Sequence, residues 1–406
     1  MSYFILPEIN DIISSSNIEI RHGPNDVVIS KSLSNYLNIM KTQIDDYSTK
    51  WDIYKKYTNS YEYIHGIVPH TKMSVCKLKP LSRSFYKLVE IYTLLDMFDD
   101  INILDDDLDA PIKSFHLAEG PGGFIEAIQH LRENDADIYY GMTLINDSND
   151  NVPGWKKSQH FLSRHPNVVI EKGADQTGNL FNVANLWHCY NAYKGSIDLV
   201  TADGGFDFSL DFNKQETLSI NLIFSQICYA VAMQKRGGTF ILKIFDIFSQ
   251  VTIDMLYMLS SIYNKVYICK PHTSRLANSE KYIVCKNFKL DDASNLVKRF
   301  STLFPILNDQ NGNEKTIQRF LNIEIPYFYT NKIEDVNAVI GQQQLENIIA
   351  TLYILDNSKQ DKLETLKKNN IQKCVQWCIK YNFPYNANVQ PVNAFIHKGV
   401  APFNPL

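Results

Sequence analysis

Four residues of this chain, Lys87, Asp203, Lys243 and Glu280, are of the types that together can activate an alcohol. A hydroxyl is poorly ionised at neutral pH, so its oxygen becomes a useful nucleophile only when one group holds it in line and another accepts its proton. A neutral lysine amine can accept that proton, but lysine is ordinarily charged. Burial and a second ammonium lower its hold on the proton, while carboxylates keep the amine in line and oppose that shift. Two lysines, one aspartate and one glutamate hold both sides of this balance without a metal. Each also has an ordinary reading. Asp203 ends the apolar run in "SIDLVTADGG", where an aspartate caps a helix or steadies a turn, and Lys243 interrupts "GTFILKIFD", where a lysine snorkels to the strand edge. Glu280 opens the strand in "SRLANSEKYIVCK" and Lys87 lies in "SRSFYKLVEI", both consistent with solvated faces. The catalytic reading depends on the four converging.

The place of convergence is "FHLAEGPGGFIEAI", residues 115–128, where a short apolar run passes into a helical spacing through Gly120, Pro121, Gly122 and Gly123. Glycines there permit positive φ and leave backbone open to close approach, while Pro121 fixes the turn. The dinucleotide fingerprint fails, because Ile125 stands at the third glycine position, and no Gly-Lys-Ser/Thr follows to make a nucleotide-phosphate loop. A ligand without a pyrophosphate fits better, with S-adenosylmethionine leading. A tight turn that binds nothing is the other reading.

The elements that must position these residues follow from residue patterning. Between about 114 and 288, β-branched runs alternate with amphipathic ones: "SFHLAEG", "DIYYGMTL", "NVVIEKG", "SIDLVTADGG", "GTFILKIF", "KVYICKP" and "KYIVCKNF" read as strands. "GFIEAIQHLREN", "QETLSINLIFSQICYAVAMQKRGG", closed by Gly237 and Gly238, and "SQVTIDMLYMLSSIY" read as helices. Such alternation predicts an α/β fold, a mostly parallel sheet with helices on both faces. "PHTSRLANSE" is too short for a crossover helix, so the last two strands form an antiparallel hairpin. In such sheets ligands bind beyond the carboxyl ends of the strands, where the strand order switches.

Residues 1–80 are read as a helical extension, 81–290 as the catalytic domain and 291–406 as a helical region ending in an irregular tail, "NFPYNANVQPVNAFIHKGVAPFNPL". The acidic "DDINILDDDLDA" is read as a solvated connection, since it lacks the glycine turn and terminal glutamate of a calcium loop. At 406 residues and 45% hydrophobic content the chain can bury a sizeable core, and 40 basic against 44 acidic residues give no global pull toward nucleic acid or an acidic membrane. No apolar stretch is read as a membrane span and no signal-peptide pattern opens the chain, so a soluble intracellular protein is expected. The seven cysteines form no C-x-x-C pair; Cys374 and Cys378 share a helix face and are read as small buried hydrophobes.

With these motifs in hand, the sequence resembles the FtsJ-like RNA ribose 2′-O-methyltransferases, and within them the enzymes that methylate mRNA caps, including those of large DNA viruses. The family's Lys-Asp-Lys-Glu tetrad falls, in order, in patterns matched here by "SRSFYKL" with Lys87, "TADGGF" with Asp203, "LKIFD" with Lys243 and "SRLANSEKY" with Glu280. "GPGGF", "YGMTL", "KPHTSRLANSEKY" and "KKYTNSYEYIH" carry the cap-specific likeness. The resemblance implies a Rossmann-like methyltransferase fold with helical N- and C-terminal additions, and S-adenosylmethionine as cofactor, contacted by Gly120, Pro121, Gly122, Gly123, Phe124, Met142, Thr143 and Asp175. It implies transfer of a methyl group to the 2′-oxygen of the first transcribed nucleotide of capped RNA, with Lys243 as general base or positioner and Lys87, Asp203 and Glu280 holding and tuning it. RNA contacts carry over to Arg275, Asn278 and Ser279, for which hydrogen bonds that order their own loop are an equal reading. The partners implied are capped RNA and other capping or transcription proteins, with neither DNA nor a membrane. A viral member would act in the host cytoplasm or virion, a cellular one in the nucleus. Ribosomal or transfer RNA as substrate, and a non-catalytic RNA-binding or capping-partner subunit, are the other readings. Two departures stand out: Glu119 replaces the small residue or cysteine common before the first glycine, and "YGMTL" lacks the acidic residue many methyltransferases use on the ribose.

Overall fold

The computed structural model describes residues 2–97, 110–146, 152, 154–205, 212–307, 316–357 and 359–389. Most of the acidic segment 99–110 and the tail from 390 onward lie outside the described residues. The strands are β1 (Ser2–Ile5), β2 (Ile18–His22), β3 (Lys113–Leu117), β4 (Ile138–Met142), β5 (Val168–Ile170), β6 (Ile197–Ala202), β7 (Gln234–Ile244), β8 (Tyr263–Lys270), β9 (Lys281–Phe288) and β10 (Ile317–Leu321). The helices are α1 (Lys31–Gln43), α2 (Ser48–Thr58), α3 (Ser84–Leu94), α4 (Gly123–Arg132), α5 (Gln159–Arg164), α6 (Val183–Tyr193), α7 (Gln215–Met233), α8 (Gln250–Ile262), α9 (Ser294–Leu307), α10 (Tyr327–Asn357) and α11 (Gln360–Lys380).

Eight strands form one sheet in the order β1-β8-β9-β7-β6-β3-β4-β5. The run β7-β6-β3-β4-β5 is parallel, whereas β9 enters antiparallel between β7 and β8. Its seven strands β3 to β9, with the antiparallel hairpin, are those the residue patterning predicts; the edge strand β1 is not among them. The chain leaves β3 toward β4 on one side and later returns to β6 on the other, so the switch in strand order lies between β3 and β6. The glycine turn follows β3 and Asp203 follows β6, which puts both at the crevice such a switch opens.

Successive strand residues point to opposite faces, and the two faces have separate cores. Phe240, Leu242 and Ile244 of β7 join one core with α6, α7, α8 and α9. Ile241 joins the other, with Tyr282 and Val284 of β9 and the side chains of α3, α4 and α11. The same parity puts Lys243, one pleat on from Ile241, on the α3 face.

Several expectations are corrected. α7 ends at Met233, and Gly237 and Gly238 lie within β7, where Gly237 has φ of 83° and the pairing with β6 shifts register. α7 is also long and apolar enough by composition to cross a membrane; 78% of its apolar window is buried inside the protein, as befits a helix apolar on all sides. The segment before residue 80 is not purely helical: β1 is the edge strand of the main sheet, and β2 pairs with β10 from the C-terminal region. α1 and α2 pack on α10, so the two terminal regions interlock. The carboxylate of Asp254 on α8 secures that seam, accepting from Arg319 Nε at 2.9 Å and from the Phe320 and Leu321 amides at 2.9 and 3.2 Å. All seven cysteines are buried and free of disulfides.

Candidate active site

Each member of the tetrad is set by a different element, and the register brings them together. In the antiparallel pairing of β7 with β9, Lys243 lies directly opposite Tyr282, and the parallel pairing of Ala202 with Leu242 puts Asp203 beside Lys243. Glu280 precedes Tyr282 by two residues. Lys87 arrives from α3, the helix packed over this face of the sheet.

The contacts form a continuous network. Lys243 Nζ donates to the Asp203 carbonyl oxygen at 2.7 Å and lies 3.2 Å from Asp203 Oδ1. Tyr282 donates its hydroxyl to Asp203 Oδ1 at 2.8 Å and receives Lys87 Nζ at 3.3 Å. Lys87 Nζ pairs with Glu280 Oε1 at 2.7 Å, and Ser274 Oγ donates to the same oxygen at 2.8 Å. Tyr282 is thus a linking residue that the motif search missed. Its signal was present: in a strand, positions 280 and 282 share a face.

Electrostatics decide the balance at Lys243. Burial lowers the Lys243 pKa, but the charges of Asp203 and Glu280 and the hydrogen bond to Asp203 outweigh it, so the net shift is upward. The carboxylates win the balance, and the site holds Lys243 as an ammonium. Burial acts to raise the Glu280 pKa, yet Lys87, Lys243 and Lys270 together hold its carboxyl far below the usual range. Lys270, fully enclosed, donates to the carbonyls of Asn278 and Glu280, both at 2.6 Å, and burial brings its own pKa down to about 7.

The loop carrying Glu280 is anchored from behind. Glu90, on α3 one turn beyond Lys87, accepts the amides of His272 and Thr273 at 2.6 and 3.0 Å and the indole of Trp377 on α11 at 2.8 Å. Burial pushes the Glu90 carboxyl upward despite these donors. Helix α11 therefore supports the loop that carries Glu280. The expected RNA contacts point inward: Arg275 holds Glu62 at 2.8 and 3.1 Å, Asn278 Oδ1 accepts the Glu280 amide at 2.8 Å, and Ser279 donates to Gln215 at 2.6 Å. These bonds order the loop.

At the glycine turn the close approach comes from the protein itself. A Cβ on Gly120 would lie 2.4 Å from the Gly154 carbonyl oxygen, and one on Gly123 2.1 Å from Ser82 Oγ, beside the start of α3. Gly122 takes φ of 100°. The turn's glycines thus seat the helix of Lys87 against α4. Phe124 and Met142 are fully buried, the former 5.9 Å from the Tyr282 ring and the latter near Cys189, so their side chains are core. Thr143 is buried too, its methyl against Gly120. Asp175 is taken up by its own loop: hydrogen bonds from Thr177, Asn182 and Asn185 outweigh burial and hold it at about 2.

A small cationic cofactor nonetheless fits this crevice. Glu119, buried before the first glycine, has an Oε2 that receives no hydrogen bond among the described residues, with His116 Nδ1 3.3 Å away. A cavity of about 410 Å³ opens beyond β4 and β5, lined by Ile145, Asn146, Trp155, Ile170 and Lys172, of a size for a nucleoside.

Comparison with known proteins follows the same residues. The FtsJ-like methyltransferase family profile matches residues 80–288. A Drosophila melanogaster protein named cap-specific mRNA (nucleoside-2′-O-)-methyltransferase 2 is 28% identical over 275 residues, covering 63% of this chain and 38% of its own. The Mus musculus protein of that name is 26% identical over 352 residues, 84% of this chain and 44% of its own. A Trypanosoma brucei brucei cap-specific mRNA (nucleoside-2′-O-)-methyltransferase 1 is 32% identical over 239 residues, 57% of this chain and 62% of its own. This chain therefore spans less than half the length of the two animal relatives. Among solved structures, a putative ribosomal RNA methyltransferase from Plasmodium falciparum is 23% identical, with a TM-score of 0.35 over 51% of this chain and 98% of its own. The profile begins just before the helix of Lys87 and ends with the strand that follows Glu280, spanning the tetrad and more than half of the chain, and this chain belongs to the FtsJ-like methyltransferase family.

Proposed function

We propose that this chain methylates the ribose 2′-oxygen of the first transcribed nucleotide of capped mRNA. The observation that carries the chemistry is the contact of Lys243 Nζ with Asp203 at the switch point, closed by Tyr282, Lys87 and Glu280. The relatives' names, all cap-specific and at 25–35% identity, support the substrate.

S-adenosylmethionine would supply an electrophilic methyl group on a sulfonium. Glu119 and the cavity beyond β4 and β5 would hold it. The methyl carbon would pass to the ribose oxygen, the carbon–sulfur electrons staying on sulfur as a neutral thioether, and the hydroxyl proton would pass to solvent water from the oxygen that Lys243 orients. Lys243, held as an ammonium, serves better as a positioner than as a ready base: its N–H orients the ribose oxygen and its charge stabilises the anion developing there. Asp203 fixes the direction of Nζ. Lys87 and Glu280 set the field around it, and the core beneath β7 and β9 keeps water from that side.

The substrate claim is tested with a short RNA bearing a 7-methylguanosine cap and the same RNA ending in a 5′-triphosphate. Methyl transfer from radiolabelled S-adenosylmethionine is expected to the capped RNA and to be at background on the other. Equal transfer to both would remove the cap requirement and favour ribosomal or transfer RNA.

A further inference from the structure

Behind the tetrad stands a second set of buried charges that the chemistry above does not use. Lys281 opens β9 opposite Ile244 and points to the other face of the sheet from its sequence neighbours Glu280 and Tyr282. Its Nζ donates to the Phe245 carbonyl at 2.8 Å and to the Ser279 carbonyl at 2.9 Å, which ties the residue before Glu280 to the end of the strand that carries Lys243. Lys270 takes the carbonyls of Asn278 and Glu280. Three successive carbonyls of the loop therefore end on buried lysines.

Asp246, three residues beyond Lys243, is the counter-charge of this set. Its Oδ1 lies 3.9 Å from Lys281 Nζ, too far for a hydrogen bond, while its Oδ2 accepts Lys41 Nζ at 2.8 Å. Lys41 comes from α1, outside the residues 80–288 that the family profile matches, and the side chains of the pair are 4% and 8% exposed. Burial acts to raise the Asp246 pKa, but the charges of Lys41 and Lys281 and the bond from Lys41 outweigh it and keep the group an anion. Burial lowers the Lys281 pKa, and Asp246 opposes that shift. A buried anion that loses one partner is left uncompensated. Without Lys41, the Asp246 carboxylate would draw Lys281 Nζ across the 3.9 Å gap and off the two carbonyls it holds.

We propose that Lys41 is a positioning residue for the transfer: by holding Asp246 it keeps Lys281 on the Phe245 and Ser279 carbonyls, and through them keeps Glu280 aligned with Lys243. That role rests on the reading of the tetrad as the seat of methyl transfer. It gives the N-terminal region a part in the reaction that the residues of the family profile do not supply. Lys41 also borders a cavity of about 180 Å³ with Arg275 and Asn278, so direct contact with the RNA is the rival role, and it has a different kinetic signature.

The test is steady-state methyl transfer to a short capped RNA by the full chain, with amide hydrogen exchange read by mass spectrometry as a second measurement that needs no substrate. Lys41→Met keeps an unbranched stem and removes the charge. It is expected to lower kcat about 10-fold or more with KM for the RNA unchanged, and to speed exchange across residues 278–281. Adding Asp246→Asn removes the charge that competes for Lys281, so the double variant is expected to regain most of the lost kcat and protection. A pair that only stabilises the fold would lower the melting temperature of Lys41→Met and leave the kcat of the folded protein unchanged. That result, a raised KM in place of a lowered kcat, or a double variant as slow as Lys41→Met, would overturn the assignment. If Lys41→Met does not fold, Lys41→Gln, which can still donate to Asp246, is expected to show the same loss and the same recovery. Wild-type protein that transfers no methyl group to capped RNA would refute the proposed function, and exchange would then decide the part of Lys41 by itself: unchanged exchange across 278–281 in the variant overturns it.

Discussion

Lys243→Ala should abolish methyl transfer while leaving S-adenosylhomocysteine binding in place. Lys243 is 11% exposed, fixed by both the carbonyl and the carboxylate of Asp203, and lies opposite Tyr282 across the β7–β9 pairing. Nothing else in the network occupies its position: Lys87 is tied to Glu280 on the α3 side. A positioned group of this kind contributes about 10²–10⁴ in rate, and loss of the charge that stabilises the developing oxyanion adds to that. The variant leaves Asp203 with Tyr282 as its remaining partner, so some stability is lost as well. Retained ligand binding therefore separates a chemical defect from an unfolded one. Wild-type turnover by Lys243→Ala would refute its role.

The second large effect is expected at Glu280. Its carboxylate interacts with three ammonium groups, on Lys87, Lys243 and Lys270, and is 8% exposed. Glu280→Gln keeps the shape and the partner for Ser274 but removes the only acidic group in direct contact with Lys87 among the described residues. Breaking a buried pair from one side typically costs about 3–5 kcal/mol, because the other charge stays buried and uncompensated. The thermal midpoint should fall clearly and transfer should be lost. The pH dependence has a definite sign. The folded carboxyl is held below a glutamate's ordinary value of 4.5, so its contribution to stability is full above that value and lost as pH falls below it. Wild-type stability measured by urea titration should drop through that acid range more steeply than that of Glu280→Gln. An unchanged midpoint and activity would refute the part given to Glu280.

What the residues disclosed before any coordinates follows from range. Strands β3 to β9 and helices α4, α7 and α8 were legible because each depends on local alternation or local helical spacing, and the hairpin because its loop is too short for a crossover, whereas α5 and α6 were not read. The tetrad was legible as four motifs, and parity along β7 and β9 explains why they meet. Tyr282 was missed because a tyrosine in an apolar strand reads as core, although its hydroxyl lies between Asp203 and Lys87. The glycine turn was read for its freedom, correctly, but the atoms that approach it are Gly154 and Ser82, which no local pattern shows. The interlock of β2 with β10, and the grip of Trp377 on Glu90, join residues nearly three hundred apart in sequence and leave no periodic trace. Loop-ordering bonds of Arg275, Asn278 and Ser279 were one of two readings, but their partners Glu62 and Gln215 were not legible, because polar residues in a loop motif do not reveal what they bond.

The central claim is the atom that receives the methyl group. The direct measurement is mass spectrometry of a short capped RNA after incubation with the protein and S-adenosylmethionine, with nuclease digestion to isolate the capped first nucleotide. A single added methyl is expected on the ribose of that nucleotide, at the 2′-oxygen. A methyl on a base, on an internal ribose, or on no residue of the RNA would contradict it.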